Sequence, residues 1–299
     1  MNLKESIRQW VLNELPYNRS NTELVNQLNQ KDARGLLVIY HNWISRQIKP
    51  QPRRVLKSKA FLANPLAADR HEQFTQIIND IECGHNLRKY LSRGIGFVAN
   101  VPARSKGRRR DLDLMLNAKG IHHLHISTEI ESDGFVKRGK KLLYAAFSPH
   151  TAYFIDIMEH GDWARKHVLE ILAREWLGHG LIHEIKGSIG LCHDTTDAER
   201  KTLQEKHINY LVQIGDRVFT TAGKLTASGI TLAASVAADR LLRDIEIFER
   251  EFDDNRERLK MAFLNCGFDF PEEPEFKFTI RSEGYGLLEC KTRIFIHLG

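Results

Sequence analysis

The hydrophobic pattern changes near residue 121, and this change constrains the fold more than any other feature. Before it, apolar residues recur at helical spacing, for example through 74–81, which predicts a mostly helical first part. After it come three short β-prone runs, at 121–126, 141–147 and 152–158, and each predicts a strand. The turn Ser148-Pro149-His150 separates the last two runs and predicts a hairpin.

The elements after this hairpin continue the mixture of helix and strand. Apolar residues within 168–176 predict a helix, Gly215-Asp216 predicts a second hairpin turn, and 226–229 precedes a long helix with an apolar stripe. The last segment resembles two strands, 275–281 and 287–298, joined by the residues between them. The predicted fold class is therefore α+β, with a helical N-terminal region, a small antiparallel sheet in the middle, and a long helix followed by a C-terminal β-hairpin.

These patterns divide the 299 residues into three regions. The first, 1–105, is helical and basic. The second, 106–180, combines the small antiparallel sheet with a helix and is the candidate active region. The third, 181–299, contains a glycine-rich segment, the long helix and the terminal hairpin.

Composition narrows the class of protein. Hydrophobic residues make up 42% of the chain and charged residues 27%, a balance typical of a folded globular protein. No apolar run approaches the roughly 18 residues that span a bilayer, and the amino terminus lacks a signal-peptide core. The four cysteines form no CxxC pair, which argues against a zinc ribbon and against structural disulfides in a reducing compartment. Together these features predict a cytoplasmic protein without a membrane partner.

Positive charge is concentrated in one segment. The net charge is +6, and residues 86–110 contain eight cations and no acidic residue. Arginine predominates at the end of this segment, and the guanidinium group matches phosphate oxygens in pairs. We therefore expect a nucleic-acid partner, RNA in preference, bound by Arg104, Lys106, Arg108, Arg109 and Arg110. The alternative is a basic face that is merely solvated.

Histidines follow this basic segment, in the predicted strand 121–126. Side chains alternate along a strand, so His123 and His125 share one face while His122 points to the other. Two imidazoles at this spacing could bind zinc with a third ligand such as His160, but no HExxH motif or cysteine pair supports a metal site. We predict no metal and no cofactor. A further alternative is a half-buried sheet whose edge histidines are only hydrogen-bonded.

The same residue types can cleave RNA without a metal. Attack of the ribose 2′-hydroxyl on the adjacent phosphate requires a base, an acid, and cations around the developing charge. Histidine serves either proton role because its unperturbed pKa is about 6.5, and arginines supply the positive charge. The candidate catalytic residues are His123, His125, His160 and Tyr144.

The segments IHHLHIS and KLLYAAFSPHTAYFIDIMEHGDW resemble the central strands of the RelE/ParE-type toxin family. In that family a strand with alternating polar residues precedes a strand ending in an aromatic residue, a polar turn, an apolar strand and a histidine-containing tail. His123 and His125 match the first strand, Tyr144 matches the second, and His160 matches the tail. The resemblance covers 107–163 and implies a small twisted antiparallel sheet whose basic face cuts RNA without a metal. Where that family has an arginine between the first two strands, this chain has a longer connection containing Lys137, Arg138, Lys140 and Lys141.

Two other nuclease patterns are weaker. Arg174 and His179 have the Arg-x4-His spacing of HEPN-type nucleases, in which both residues lie on one helix. Asp111 and Asp113 could be half of a two-metal carboxylate set, although pairing with the neighbouring arginines explains them more simply.

The function predicted from these residues is that of a cytoplasmic nucleic-acid-binding protein, and specifically a metal-independent endoribonuclease of toxin or phage-defence type. A non-catalytic nucleic-acid-binding or adaptor protein is the alternative, since phosphate contacts alone give salt-dependent affinity. A third interpretation is an interaction module, in which the long helix binds a protein partner or a second copy of the chain.

Overall fold

The computed structural model describes residues 2–98, 111–282 and 284–299. Within these ranges the chain is an α+β protein, which confirms the predicted class. The α-helices are α1 (Leu3–Glu14), α2 (Thr22–Asn29), α3 (Ala33–Ser45), α4 (Lys59–Ala63), α5 (Pro65–Asp69), α6 (His71–Glu82), α7 (Leu114–Lys119), α8 (Lys166–Glu175), α9 (Asp197–Glu205), α10 (Leu232–Arg250) and α11 (Arg256–Asn265). The strands are β1 (Arg54–Lys57), β2 (Ile121–His125), β3 (Lys141–Phe147), β4 (Thr151–Glu159), β5 (Ile182–Glu184), β6 (Val212–Ile214), β7 (Arg217–Thr221), β8 (Phe276–Arg281), β9 (Gly284–Glu289) and β10 (Phe295–His297).

The chain forms two compact units, and the first combines both ends of the sequence, Met1–Asn42 and Ala234–Gly299. Its sheet has the order β10-β9-β8 with antiparallel pairing throughout. Helix α1 packs on β8, where the ring of Trp10 meets Phe278 edge-on at 5.4 Å. The Phe278 N–H also donates to Ser6 Oγ at 2.8 Å, which ties the start of the chain to its end.

The terminal hairpin differs in detail from the sequence pattern. The pattern places the second strand after residue 286, whereas β9 begins at Gly284 and β10 adds a third strand beside it. Gly286 makes this possible, because a Cβ at that position would collide with the Ile296 carbonyl of β10. A glycine that suggests a turn in the sequence therefore serves a close strand approach.

The second unit, Trp43–Ala233, contains a four-stranded sheet of order β1-β4-β3-β2. The predicted hairpin is confirmed, since β3 and β4 pair antiparallel around a turn that the Ser148 N–H closes on Thr151 O at 2.8 Å. Strand β2 pairs antiparallel with β3 at one edge, and β1 adds to β4 in parallel at the other. A second small sheet of order β5-β7-β6 contains the other predicted hairpin.

Apolar side chains cover both faces of the four-stranded sheet. On one face, Leu124 and Phe154 belong to a core cluster with Phe74 of α6. On the other face, Leu142 joins a cluster that includes Leu169 of α8. Burial on both sides explains why β3 and β4 read as nearly continuous apolar runs rather than as alternating ones.

Alternation along β2 divides its histidines between these faces, as predicted. The ring of His122 meets Phe147 edge-on at 5.5 Å and is buried. Burial lowers the pKa of His122 to about 4, so this ring is neutral at neutral pH. His123 and His125 point away from it, on the other side of the strand.

The short helix α7 leads directly into β2. Its first turn is capped by Asp113, whose Oδ1 accepts the Leu116 N–H at 3.0 Å. Gly120 ends the helix with a φ of 73°, a left-handed conformation that favours glycine.

Because β2 and β4 both run antiparallel to β3, the carboxyl ends of β2 and β4 lie at the same end of the sheet. Among the described residues, no helix combines the length and apolar character needed to cross a bilayer.

Candidate active site

Three imidazoles meet at that end of the sheet. His123 and His125 come from one face of β2, and His160 is the residue after β4. The ring centroids of His160 lie 5.6 Å from His123 and 5.6 Å from His125, and the two β2 rings are 6.3 Å apart. We call these three residues the imidazole cluster. The structure thus brings together the three histidines that the sequence singles out as catalytic candidates.

The imidazole cluster extends from the surface into the interior. His160 is exposed, the His123 side chain is 18% exposed, and His125 is 2% exposed. Neither ring nitrogen of His125 has a hydrogen-bond partner among the described residues. His160 and His123 are therefore the members that a substrate can reach, and His125 lies behind them.

Burial makes two of these rings neutral. It lowers the pKa of His125 to about 3, with a smaller contribution from the neighbouring charge of His123. It also lowers the pKa of His160, again with His123 adding to the effect. Neutral imidazoles accept protons, so the exposed His160 has the protonation state required of a base near pH 7.

A carboxylate lies beside the third ring. Asp113 Oδ2 is 3.6 Å from Nδ1 of His123, while the other oxygen of Asp113 caps α7. The contact is longer than a hydrogen bond, so Asp113 acts on the ring through its charge. From the sequence, Asp113 is interpreted as an arginine partner or metal ligand, and its contact with His123 is missed. Its capping role has a sequence signal, because an aspartate just before an apolar helical run commonly caps the helix.

Tyr144 lies opposite His123 in the β2–β3 register. Its hydroxyl donates to the Glu159 carbonyl at 2.8 Å, and the side chain is 1% exposed. Burial raises the pKa of this phenol well above its usual value. Tyr144 thus contacts the chain immediately before His160 and forms part of the wall of the site.

A cavity of about 330 Å³ opens beside the imidazole cluster. His123, His160 and Trp163 are among the residues that line it. Arg46 also lines it, but this side chain is buried and donates to the carbonyls of Gly94 and Phe97. Arg46 therefore supports the 94–97 segment of the cavity wall.

The predicted nucleic-acid-binding residues Arg104, Lys106, Arg108, Arg109 and Arg110 lie outside the described residues. Among the described cations, Arg138 acts on the imidazole cluster, because its charge contributes, after burial and His123, to lowering the pKa of His125 and of His160. Arg138 is exposed. It belongs to the connection that precedes β3.

The structure does not place the HEPN-type residues as the sequence pattern requires. Helix α8 ends at Glu175, so Arg174 and His179 do not share a helix. His179 Nδ1 instead contacts the Tyr153 hydroxyl at 3.1 Å. The HEPN-type interpretation is therefore wrong. In the part of the chain that the structure describes, no group of three or more His, Cys, Asp or Glu side chains has the arrangement of a metal site.

Comparison with known proteins gives no relative. No protein-family model matches the chain, no curated protein is significantly similar to it in sequence, and no solved structure matches its fold. Any statement about function therefore depends on the chemistry of the site.

Proposed function

We propose that this chain is a metal-independent endoribonuclease of toxin or phage-defence type that acts in the cytoplasm. The observation that carries the proposal is the imidazole cluster itself: one exposed neutral ring and one ring backed by a carboxylate, side by side at the mouth of a cavity. This combination supplies a base and an acid within the span of one phosphodiester.

The proposed reaction divides the proton transfers between two rings. His160 takes the proton from the ribose 2′-hydroxyl, and the 2′-oxygen forms a bond to phosphorus. The bond from phosphorus to the 5′-oxygen breaks, and the His123 imidazolium gives that oxygen a proton. The products are a 2′,3′-cyclic phosphate and a 5′-hydroxyl end. We assign Asp113, 3.6 Å from Nδ1 of His123, to positioning that ring for the transfer.

The reaction also requires a cation that neutralises the negative charge of the phosphate. Beyond the effect of burial, Arg138 lowers the pKa of both His125 and His160, and we assign it to the substrate phosphate. Arg93 also acts on His125, but it already pairs with Glu131 and Asp133. Two nearby lysines already have partners: Lys137 of the same connection pairs with Glu129 at 2.9 Å, and Lys141 at the start of β3 pairs with Glu159 at 3.0 Å. The basic segment 104–110 is assigned to the flanking RNA backbone.

Incubation of the purified protein with labelled single-stranded RNA, with and without EDTA, tests the proposal. We expect cleavage in both conditions and cyclic-phosphate ends. His160→Ala and His123→Ala should each reduce the rate by about a hundredfold or more. His150→Ala is the matched control, because His150 is also exposed but precedes β4 at the opposite end of that strand.

Each other result has a definite meaning. No cleavage by the wild-type protein rejects the ribonuclease. Cleavage that EDTA abolishes replaces this mechanism with a metal-dependent one. RNA binding without cleavage supports the non-catalytic alternative, particularly if substituting Arg108, Arg109 and Arg110 together flattens its salt dependence while His125→Ala changes nothing.

A further inference from the structure

The proton transfers proposed above use His123 and His160, and the apolar residues that line the same cavity have no role in them. We propose that this cavity receives one unpaired nucleobase of the RNA, so that single-stranded RNA is the substrate of the site. This inference rests on the proposed ribonuclease function and adds a base-binding site to it.

The size of the cavity fits one base with its sugar. Its volume of about 330 Å³ lies near the lower end of the range of small-molecule pockets, about 300–1,000 Å³. A paired base inside a duplex is stacked on both sides and cannot enter such a concave site unless it leaves the stack. The cavity therefore selects a nucleotide that is already unstacked.

The walls of the cavity suit the faces of a base. Leu91, Ile95, Leu112 and Met115 contribute apolar surface, and Trp163 contributes an indole ring that is only half-buried. Indole rings stack on every base, because each base has a π-face.

The backbone of Trp163 is also held by a hydrogen bond. The buried Lys119 at the end of α7 donates its ammonium group to the Trp163 carbonyl. The same helix α7 begins at the Asp113 cap. This one short helix thus places Asp113 beside His123 at its start and contacts the Trp163 backbone through Lys119 at its end.

The residues assigned to proton transfer also line the proposed base site. His123 and His160 line the cavity together with Trp163. A base inside the cavity therefore places its own ribose and 3′-phosphate at the two rings that we assign to proton transfer. Unstacking also frees the ribose to adopt the in-line geometry for attack by the 2′-oxygen, which an A-form helix disfavours.

Binding of mononucleotides tests the base site without requiring cleavage. Titration of the full chain with uridine 3′-monophosphate and adenosine 3′-monophosphate, followed by tryptophan fluorescence and calorimetry, should give saturable binding to one site. Leu112→Trp occupies part of the cavity volume, and calorimetry should show this binding weakened by about tenfold or more. Leu62→Trp is the matched control, because Leu62 is a 64% exposed leucine of α4 that does not line the cavity. Circular dichroism establishes that both variants are folded.

A cleavage comparison separates failure of the base site from failure of the ribonuclease. The same labelled oligoribonucleotide is supplied alone or annealed to its complement, and we expect the single strand to be cut at least about tenfold faster. Equal cleavage of both forms, or a Leu112→Trp variant that behaves like Leu62→Trp, overturns the base site and leaves the ribonuclease standing. Absence of cleavage with saturable mononucleotide binding retains the base site and rejects the ribonuclease. Absence of both rejects both.

Discussion

Asp113 Oδ2 lies 3.6 Å from Nδ1 of His123, while Oδ1 of the same carboxylate caps helix α7. One residue therefore links the start of a helix to a ring on the adjacent strand. The cap fixes the carboxylate without needing its negative charge, whereas the electrostatic contact with the His123 ring needs that charge. The two roles can be separated by substitution.

Asp113→Asn should separate them, because asparagine caps helices about as well as aspartate. We expect the melting temperature to stay close to that of the wild type while RNA cleavage falls by about tenfold or more. Asp69→Asn, at an exposed position in α5, is the control and should change neither quantity. A cleavage rate equal to that of the wild type would remove Asp113 from the mechanism.

His125→Leu should leave the protein at least as stable as the wild type. The ring of His125 is buried with neither nitrogen hydrogen-bonded, and an unsatisfied buried polar group costs about 1–3 kcal/mol. An apolar side chain of similar size removes that cost, so the free energy of unfolding in urea should be unchanged or higher. A large loss of stability would mean that the His125 ring makes favourable interactions at this position.

Acid should destabilise the protein through its buried histidines. Their folded pKa values, about 4 for His122 and about 3 for His125, lie below the ordinary histidine pKa of about 6.5. Below pH 6.5 the unfolded chain therefore binds protons that the folded chain does not, and stability falls as the pH drops. The slope is at most about 1.4 kcal/mol per pH unit for each ring. Urea unfolding between pH 7 and pH 4 should show a shallower loss for the double variant His122→Phe/His125→Leu than for wild type or His150→Leu.

Arg138→Gln should raise the pKa of His160, because the charge that it removes acts to lower that pKa. The acidic limb of the pH–rate profile should then move to higher pH, and RNA affinity should fall. Proton NMR of the His160 ring gives the pKa directly. Lys137→Gln serves as the control, since Lys137 already pairs with Glu129. An unchanged His160 titration would show that the Arg138 charge does not reach the ring.

Tyr144→Phe tests whether the phenol takes part in the chemistry. Its hydroxyl already donates to the Glu159 carbonyl, so we expect a loss of about 1 kcal/mol in unfolding free energy. Cleavage should change by less than about tenfold, in contrast to the larger loss expected for a general acid or base. A larger fall in a folded variant would assign Tyr144 a direct role in the reaction.

Local patterns predict much of the sheet that positions the site. The turn at 148–150 predicts the β3–β4 hairpin, and strand alternation predicts that His123 and His125 share a face. The proximity of His160 follows only once the strands are paired, because that residue lies more than thirty positions further along the chain. Which strands pair, and in what order, depends on the whole sheet, and the periodicity of one strand does not specify it.

Other parts of the structure have no recognisable signal in the local sequence. Trp163 reaches the cavity from a turn after β4, and Arg46 comes from the end of α3, so neither belongs to a recognisable motif. The four-residue strand β1 is too short for its pattern to be distinguished from a loop. Long-range packing decides all three placements. The capping role of Asp113, by contrast, was accessible from the sequence.

The unit that carries the imidazole cluster is continuous in sequence, whereas the other unit combines Met1–Asn42 with Ala234–Gly299. During translation, α1 emerges before β8, the strand on which it packs, and the whole of the other unit is made between them. The intervening unit has all of its strands much earlier and can complete its own core in the meantime. Connectivity thus sets an order of maturation on the ribosome in which the histidine-bearing sheet precedes the unit built from the two chain ends.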